Sequence, residues 1–176
     1  LFKTFSKVMA QRGGKLISFM ARWSNDADGQ SGHVHVSLLD MDGKPVFHAP
    51  DGFCKMSDTM RFFIGGMQKL IAPNINSFKR LVPGIFAPIS AEWGVENRTC
   101  AIRAIPGSPG SSRVECRTPG ADANPYLSLA AVLAAGLHGI KNRIEPTDPS
   151  DQNAYENDPP EHLKFPGSFT EAIGRF

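Results

Sequence analysis

The chain has 176 residues, with 19 Lys and Arg against 17 Asp and Glu, for a formal net charge of +2. That length suits one ordinary domain with a true core, and so slight a charge excludes the global basic field of a nucleic-acid or membrane-surface binder. Its 17 glycines and 14 prolines stay below the roughly 25–30% that marks low-complexity chains. Cys54, Cys100 and Cys116 are odd in number and form no metal-type pair, so they read as reduced thiols of a cytoplasmic protein. The longest mainly apolar stretch, residues 126–137, is shorter than the roughly 18 residues a membrane span needs, and no signal peptide is read.

Phe2, Phe5, Val8 and Met9 follow helical spacing from the first residues, and Gly13-Gly14 should end that helix. Residues 16–21 read as a buried strand and residues 24–32 as a polar loop. His33-Val-His-Val-Ser-Leu-Leu39 alternates, so a strand would carry His33, His35 and Ser37 on one face and Val34, Val36 and Leu38 on the other. Asp42-Gly43 signals a turn, after which Pro45-Val46-Phe47 can return as a short partner strand. Ser57 is placed to cap a helix whose apolar positions Met60, Phe63, Ile64, Met67, Leu70 and Ile71 keep a 3.6-residue period, and Pro73 ends it.

Residues 74–123 are rich in Pro, Gly and Arg, with strand candidates near residues 101–104 and 113–117. Asn124-Pro125 predicts an N-cap with proline in the first turn, and the following helix, residues 126–140, is apolar nearly all round and expected to be buried. Residues 145–161 hold acidic residues and prolines but no Lys or Arg, which suggests a solvated surface loop. Ser168-Phe-Thr-Glu171 is a capping box that opens a new helix close to Phe176. With helical spacing already under way at the start, both ends suggest a piece of a longer protein. Because no strand–helix–strand pattern recurs, the expected fold is α+β, an antiparallel sheet with flanking helices.

Two constellations carry chemistry. His33 and His35 would point into one polar site, where neutral imidazole can ligate a metal or meet a phosphate oxygen. The pair equally fits two histidines on an exposed edge strand. Arg80, Arg98, Arg103, Arg113 and Arg117 fall in a stretch without lysine. Arginine grips carboxylate and phosphate oxygens two at a time. On a strand Arg113, Glu115 and Arg117 make a cation–anion–cation row. Surface salt bridges around Glu92, Glu96 and Glu115 are the plainer alternative. The Gly/Ser/Pro loop at residues 107–112 lacks the Gly-Lys-Ser/Thr of a P-loop and reads as a turn. Cations and rigid donors of this kind are what phosphoryl transfer needs.

Gly32-His-Val-His-Val-Ser37, Asn76-Ser-Phe-Lys-Arg-Leu-Val-Pro-Gly84, Asn97-Arg-Thr-Cys-Ala-Ile-Arg103, Arg113-Val-Glu-Cys-Arg117 and Ala123-Asn-Pro-Tyr126 follow in series. In that order and spacing the chain resembles the catalytic domain of glutamine synthetase. The resemblance implies that residues 1–176 are the C-terminal part of a guanido-kinase-like catalytic domain, with a surface loop at 145–161, and that the N-terminal domain and first part of the catalytic domain are absent. It implies an ATP-dependent carbon–nitrogen ligase that joins the side-chain carboxylate of glutamate to ammonia or a small amine through a γ-glutamyl phosphate. Mg²⁺ or Mn²⁺ would be held by His33 and Glu115, and nucleotide by His35, Ser37, Arg98, Arg103 and Arg113. Arg80 and Arg117 would hold glutamate and its phosphorylated carboxylate, so that Arg80, Arg98 and Arg117 form the catalytic set. Full-length members assemble as homo-oligomeric stacked rings in the cytoplasm, without nucleic acid or membrane, and the isolated piece would be inactive. A family member that keeps the fold as a non-catalytic binding module is the alternative from another class.

One position departs from the ammonia-using pattern. Phe86, in Ile85-Phe86-Ala87-Pro88, stands where those members carry the Glu that takes a proton from ammonium. Together with Trp93 and Gly120-Ala-Asp-Ala-Asn124, this is similar to the branch that joins glutamate to larger amines, the γ-glutamylpolyamine and ethanolamine ligases.

Overall fold

The computed structural model describes residues 1–24, 26–71 and 87–175. Four strands, β1 (Val34–Val36), β2 (Trp93–Val95), β3 (Ile102–Ile105) and β4 (Arg113–Cys116), form one sheet in the order β1-β4-β3-β2. Helices α1 (Phe2–Arg12), α2 (Asp58–Ile71), α3 (Pro125–Asn142) and α4 (Phe169–Arg175) complete the α+β architecture. The sheet is mixed. β1, β4 and β3 pair antiparallel, but β2 and β3 run parallel. The connection between them, residues 96–101, is too short for a helix. It suffices because each strand is so short, and about six extended residues reach roughly 20 Å.

α2 supplies the centre of the core. Ser57 Oγ accepts from the Met60 amide at 3.1 Å, so the expected cap is in place. The 3.6-residue stripe then buries Met60, Phe63, Ile64 and Met67 completely. They meet Val114, Ile102, Ala104 and Trp93 of the sheet, and the Phe63 ring packs edge-on against Phe47, 5.3 Å between centroids. Each such side chain contributes about 1.5–3 kcal/mol by leaving water. Residues 45–47 turn back beside the residues that follow β1, but as an isolated bridge and not as the expected partner strand. Leu39 bridges Pro45, and the Val46 amide donates to Leu38 O at 3.1 Å.

α3 begins where the sequence places it, with the Asn124 side chain accepting from the amides of Tyr126 and Leu127. Only one of its faces is buried, through Val132, Ala135, Gly136 and Gly139. Tyr126, Leu127, Leu133 and Leu137 are exposed, contrary to the expectation from uniform apolarity. Apolarity all round cannot tell which side a neighbour will take, and α2 takes one side here. The two helices approach closely at paired glycines. A Cβ on Gly66 would run into the Ala135 carbonyl and the Gly139 Cα. Gly66→Ala is therefore expected to cost about 1–3 kcal/mol or more by overpacking, seen as a lowered Tm; an unchanged Tm would mean that the helices can part without loss.

Residues 16–21 form no strand, and Leu16 is almost fully exposed. α1 ends at Gly13 as expected but buries none of its residues. Ser168 Oγ accepts from the Glu171 amide at 3.1 Å, completing the predicted start of α4. The three cysteines are free. Burial, reinforced by Glu92, pushes the Cys100 thiol up to about 12, and burial raises Cys116 as well, so both stay protonated. Among the described residues no helix is long and apolar enough to cross a membrane.

Candidate active site

The sheet's two faces divide the sequence by parity. Val34, Val36, Ile102, Ala104, Val114 and Cys116 face the helices. The register brings His35 opposite Glu115, and Glu115 opposite Arg103, on the other face. His33 precedes β1 and Arg117 follows β4, so both join the same row.

Glu115 sits at the centre, 3% exposed. Its Oε1 lies 2.9 Å from Arg117 Nη1, 2.9 Å from His33 Nδ1 and 3.7 Å from His35 Nε2. Its Oε2 accepts from Arg103 Nη1 at 3.2 Å. Burial by itself would raise the Glu115 pKa, but Arg117, Arg103 and the two imidazoles outweigh it and hold the group below the ordinary carboxylate value. Burial likewise works against the Arg103 charge, and its bonds to Glu96 and Glu115 overcome that and raise its pKa further. Arg113 turns the other way, donating from Nη1 to Ser111 O at 2.9 Å and from Nε to His35 Nδ1 at 3.3 Å. A guanidinium only donates, so His35 Nδ1 is the acceptor and a neutral ring carries its proton on Nε2, toward Glu115.

Of the residues singled out in the sequence, His33, His35, Arg103, Arg113, Glu115 and Arg117 are thus brought together. Ser37 follows β1 on the same side and is exposed. Arg98 is exposed on the loop between β2 and β3, and none of the bonds around Glu115 goes to it. Arg80, the motif at residues 76–84 and Phe86 lie outside the described residues. The loop at residues 107–112 is a turn closed by the Ser111 and Ser112 amides on Ser108 O, joining β3 to β4.

The acidic loop at residues 145–161 is at the surface but firmly tied down. Trp93 Nε1 donates to Thr147 O at 2.7 Å, and buried Gln68 exchanges bonds with Thr147. Asn97 spends its whole amide here: Nδ2 donates to Ser150 O and Gln152 O, and Oδ1 accepts from the Thr99 amide and hydroxyl. Asn97 therefore fixes the turn that carries Arg98. In the sequence Glu96 offers no more than a general salt bridge. It stands beside Arg103 in the site, whereas Glu92 accepts from Ser90 Oγ at 2.7 Å.

The donor set fits part of a divalent-cation site. An imidazole nitrogen and an ionised carboxylate oxygen lie 2.9 Å apart; the carboxylate oxygen suits Mg²⁺ and Mn²⁺, and the imidazole adds a nitrogen ligand. Among the described residues no group of three or more His, Cys, Asp or Glu side chains is arranged to hold a metal ion, so the pair is a partial site.

A family model of the glutamine synthetase catalytic domain matches residues 1–176. The chain belongs to the glutamine synthetase family and lies within its catalytic domain. It is 45% identical over 165 residues to the γ-glutamylethanolamide synthetase of Streptomyces coelicolor, covering 90% of this chain and 35% of that one. It is 42% identical over 177 residues to the glutamate–isopropylamine ligase of a Pseudomonas species, covering 97% and 39%. It is 44% identical over 171 residues to a glutamine synthetase of Streptomyces coelicolor, covering 92% and 36%. A solved structure of GmaS in its apo form superposes with a TM-score of 0.81 at 32% identity, covering 98% of this chain and 41% of that one. The chain thus spans well under half the length of these relatives.

Proposed function

We propose that the full-length protein containing this chain is a cytoplasmic, ring-forming homo-oligomeric ligase that uses ATP to join glutamate to an amine, and that residues 1–176 alone are inactive. The ordering of Glu115 among Arg103, Arg117 and His33 on one sheet face carries this reading. Moving the γ-phosphate of ATP onto the side-chain carboxylate of glutamate concentrates negative charge, and rigid guanidinium donors stabilise it without reorganisation. The amine, having given up its ammonium proton to water, attacks the acyl carbon; the carbon–oxygen bond breaks, phosphate departs, and the remaining extra N–H proton passes to the departing phosphate or to water.

In this proposal His33 and Glu115 hold Mg²⁺ or Mn²⁺, which when bound supplies a compact positive charge to the phosphates. His35, Ser37, Arg98, Arg103 and Arg113 serve the nucleotide, and Arg80 and Arg117 serve glutamate. His35 meets phosphate oxygen through the Nε2 proton that Arg113 leaves to it.

The acceptor is an organic amine rather than ammonia. Phe86 puts an aromatic ring in place of a carboxylate, an apolar or cation–π surface that suits an alkylammonium better than bare ammonium, although either must lose a proton before it attacks. Similarity to an ethanolamide synthetase and an isopropylamine ligase supports this choice, although glutamine synthetases are about equally similar. The test offers the full-length protein ATP, Mg²⁺ and glutamate with ammonia, ethanolamine, putrescine or spermidine, and follows phosphate release. Turnover at least about tenfold faster with an organic amine is expected, the scale of one well-placed contact. Efficient turnover with ammonia and none with any organic amine would place the protein among the ammonia users.

A further inference from the structure

Glu96 follows β2 with a φ of 53°, a left-handed conformation that a side chain other than glycine holds only at a cost. Two interactions keep it there. Its amide donates to Ala104 O at 2.8 Å, extending the pairing of β2 with β3 by one step. Its carboxylate Oε2 sits in the notch of the Arg103 guanidinium, accepting from Nε at 3.1 Å and also from Nη2. The third arm of Arg103, Nη1, reaches Glu115 Oε2 at 3.2 Å. Arg103 is thus strung between a buried carboxylate and a half-exposed one.

An ion pair with one partner half exposed to solvent adds little stability. A strained backbone kept for so small a return points to a role in the site. A guanidinium has five N–H groups, and the bonds to Glu96 and Glu115 engage three of them. One N–H on Nη1 and one on Nη2 stay available for an incoming anion. Without Glu96, the side chain is free to swing and to close two-pronged on Glu115, the geometry that guanidinium and carboxylate prefer.

We propose that Glu96 is a positioning residue, which holds the Arg103 guanidinium in the plane where its two spare N–H groups meet a nucleotide phosphate. The assignment rests on the reading of Arg103 as a nucleotide ligand. Glu96 itself touches neither glutamate nor ATP.

The test uses Glu96→Gly in the full-length protein, since glycine accepts the left-handed backbone and removes the carboxylate in one change. Its Tm should equal or exceed that of the parent. Calorimetry with Mg·ATP, which needs no turnover, should show binding weakened about tenfold, the scale expected when a binding group is misplaced by under an ångström. The KM for ATP should rise in parallel while the KM for glutamate holds. In an Arg103→Lys background the same change should weaken ATP binding no further, because both act through one guanidinium. Unchanged ATP binding in Glu96→Gly, a loss that adds in full to that of Arg103→Lys, or a Tm well below the parent would overturn the assignment. A parent protein that binds no ATP would overturn the ligase reading, and this assignment with it.

Discussion

Glu115→Gln in the full-length protein should lose about 3–5 kcal/mol of folding stability, the usual cost of removing one partner from a buried ion-pair network. Glu115 is 3% exposed, and Arg103 and Arg117 are 15% and 12% exposed, so solvent screens little of the loss. The amide cannot replace the charge, and its NH₂ turns a donor toward a guanidinium that already donates. The effect has a definite pH signature. The folded protein holds the Glu115 pKa below its ordinary value, so its stabilisation is complete above the ordinary carboxylate range. It is lost as pH falls through the depressed folded value. Urea denaturation of parent and variant should therefore differ most at neutral pH and converge in strong acid. Equal stability at pH 7 would mean that the cluster contributes nothing net.

Local signals were legible in the residues. Ser57 and Asn124 cap their helices where their spacing from the first apolar residues requires, and the stripe from Met60 to Met67 found the core. Strand parity placed His33 and His35 together, and likewise Arg113, Glu115 and Arg117, because alternation is a property of the strand alone. Bringing the two sets into one cluster depends on register between strands some 80 residues apart in sequence, and no local pattern encodes that.

The misreadings share this cause. The parallel pairing of β2 with β3 has no sign in the sequence, because the usual one, a helix between strands, is replaced by the short return at residues 96–101. Residues 16–21 have the composition of a strand, yet among the described residues they join no strand or bridge, and the Gln30 amide donates to Ala21 O at 2.6 Å as a loop contact. The outer face of α3 is as apolar as its inner one, so only the position of α2 decides which side is buried. In the sequence Glu96 reads as any surface acid, since what sets it apart is a φ angle and its bonds to Arg103 seven residues on. A glutamate directly after a short strand, followed by Asn97 as the anchor of its turn, was the one available hint.

Mn²⁺ binding to the full-length protein tests most directly the proposal that this sheet face contributes His33 and Glu115 to the divalent-cation site of a phosphoryl-transferring ligase. His33 Nδ1 and Glu115 Oε1 lie 2.9 Å apart, a spacing that two adjacent ligands each about 2.1 Å from one ion would have. Loss of a group that merely orients a ligand typically weakens metal binding by about 10–100-fold, so loss of a ligand itself should reach at least about 100-fold. Calorimetric Mn²⁺ titration of His33→Ala should accordingly show one class of site weakened by that factor, with the fold retained as judged by circular dichroism. Titrations of the variant and the parent that superimpose would show that His33 holds no metal, and would contradict the account at its centre.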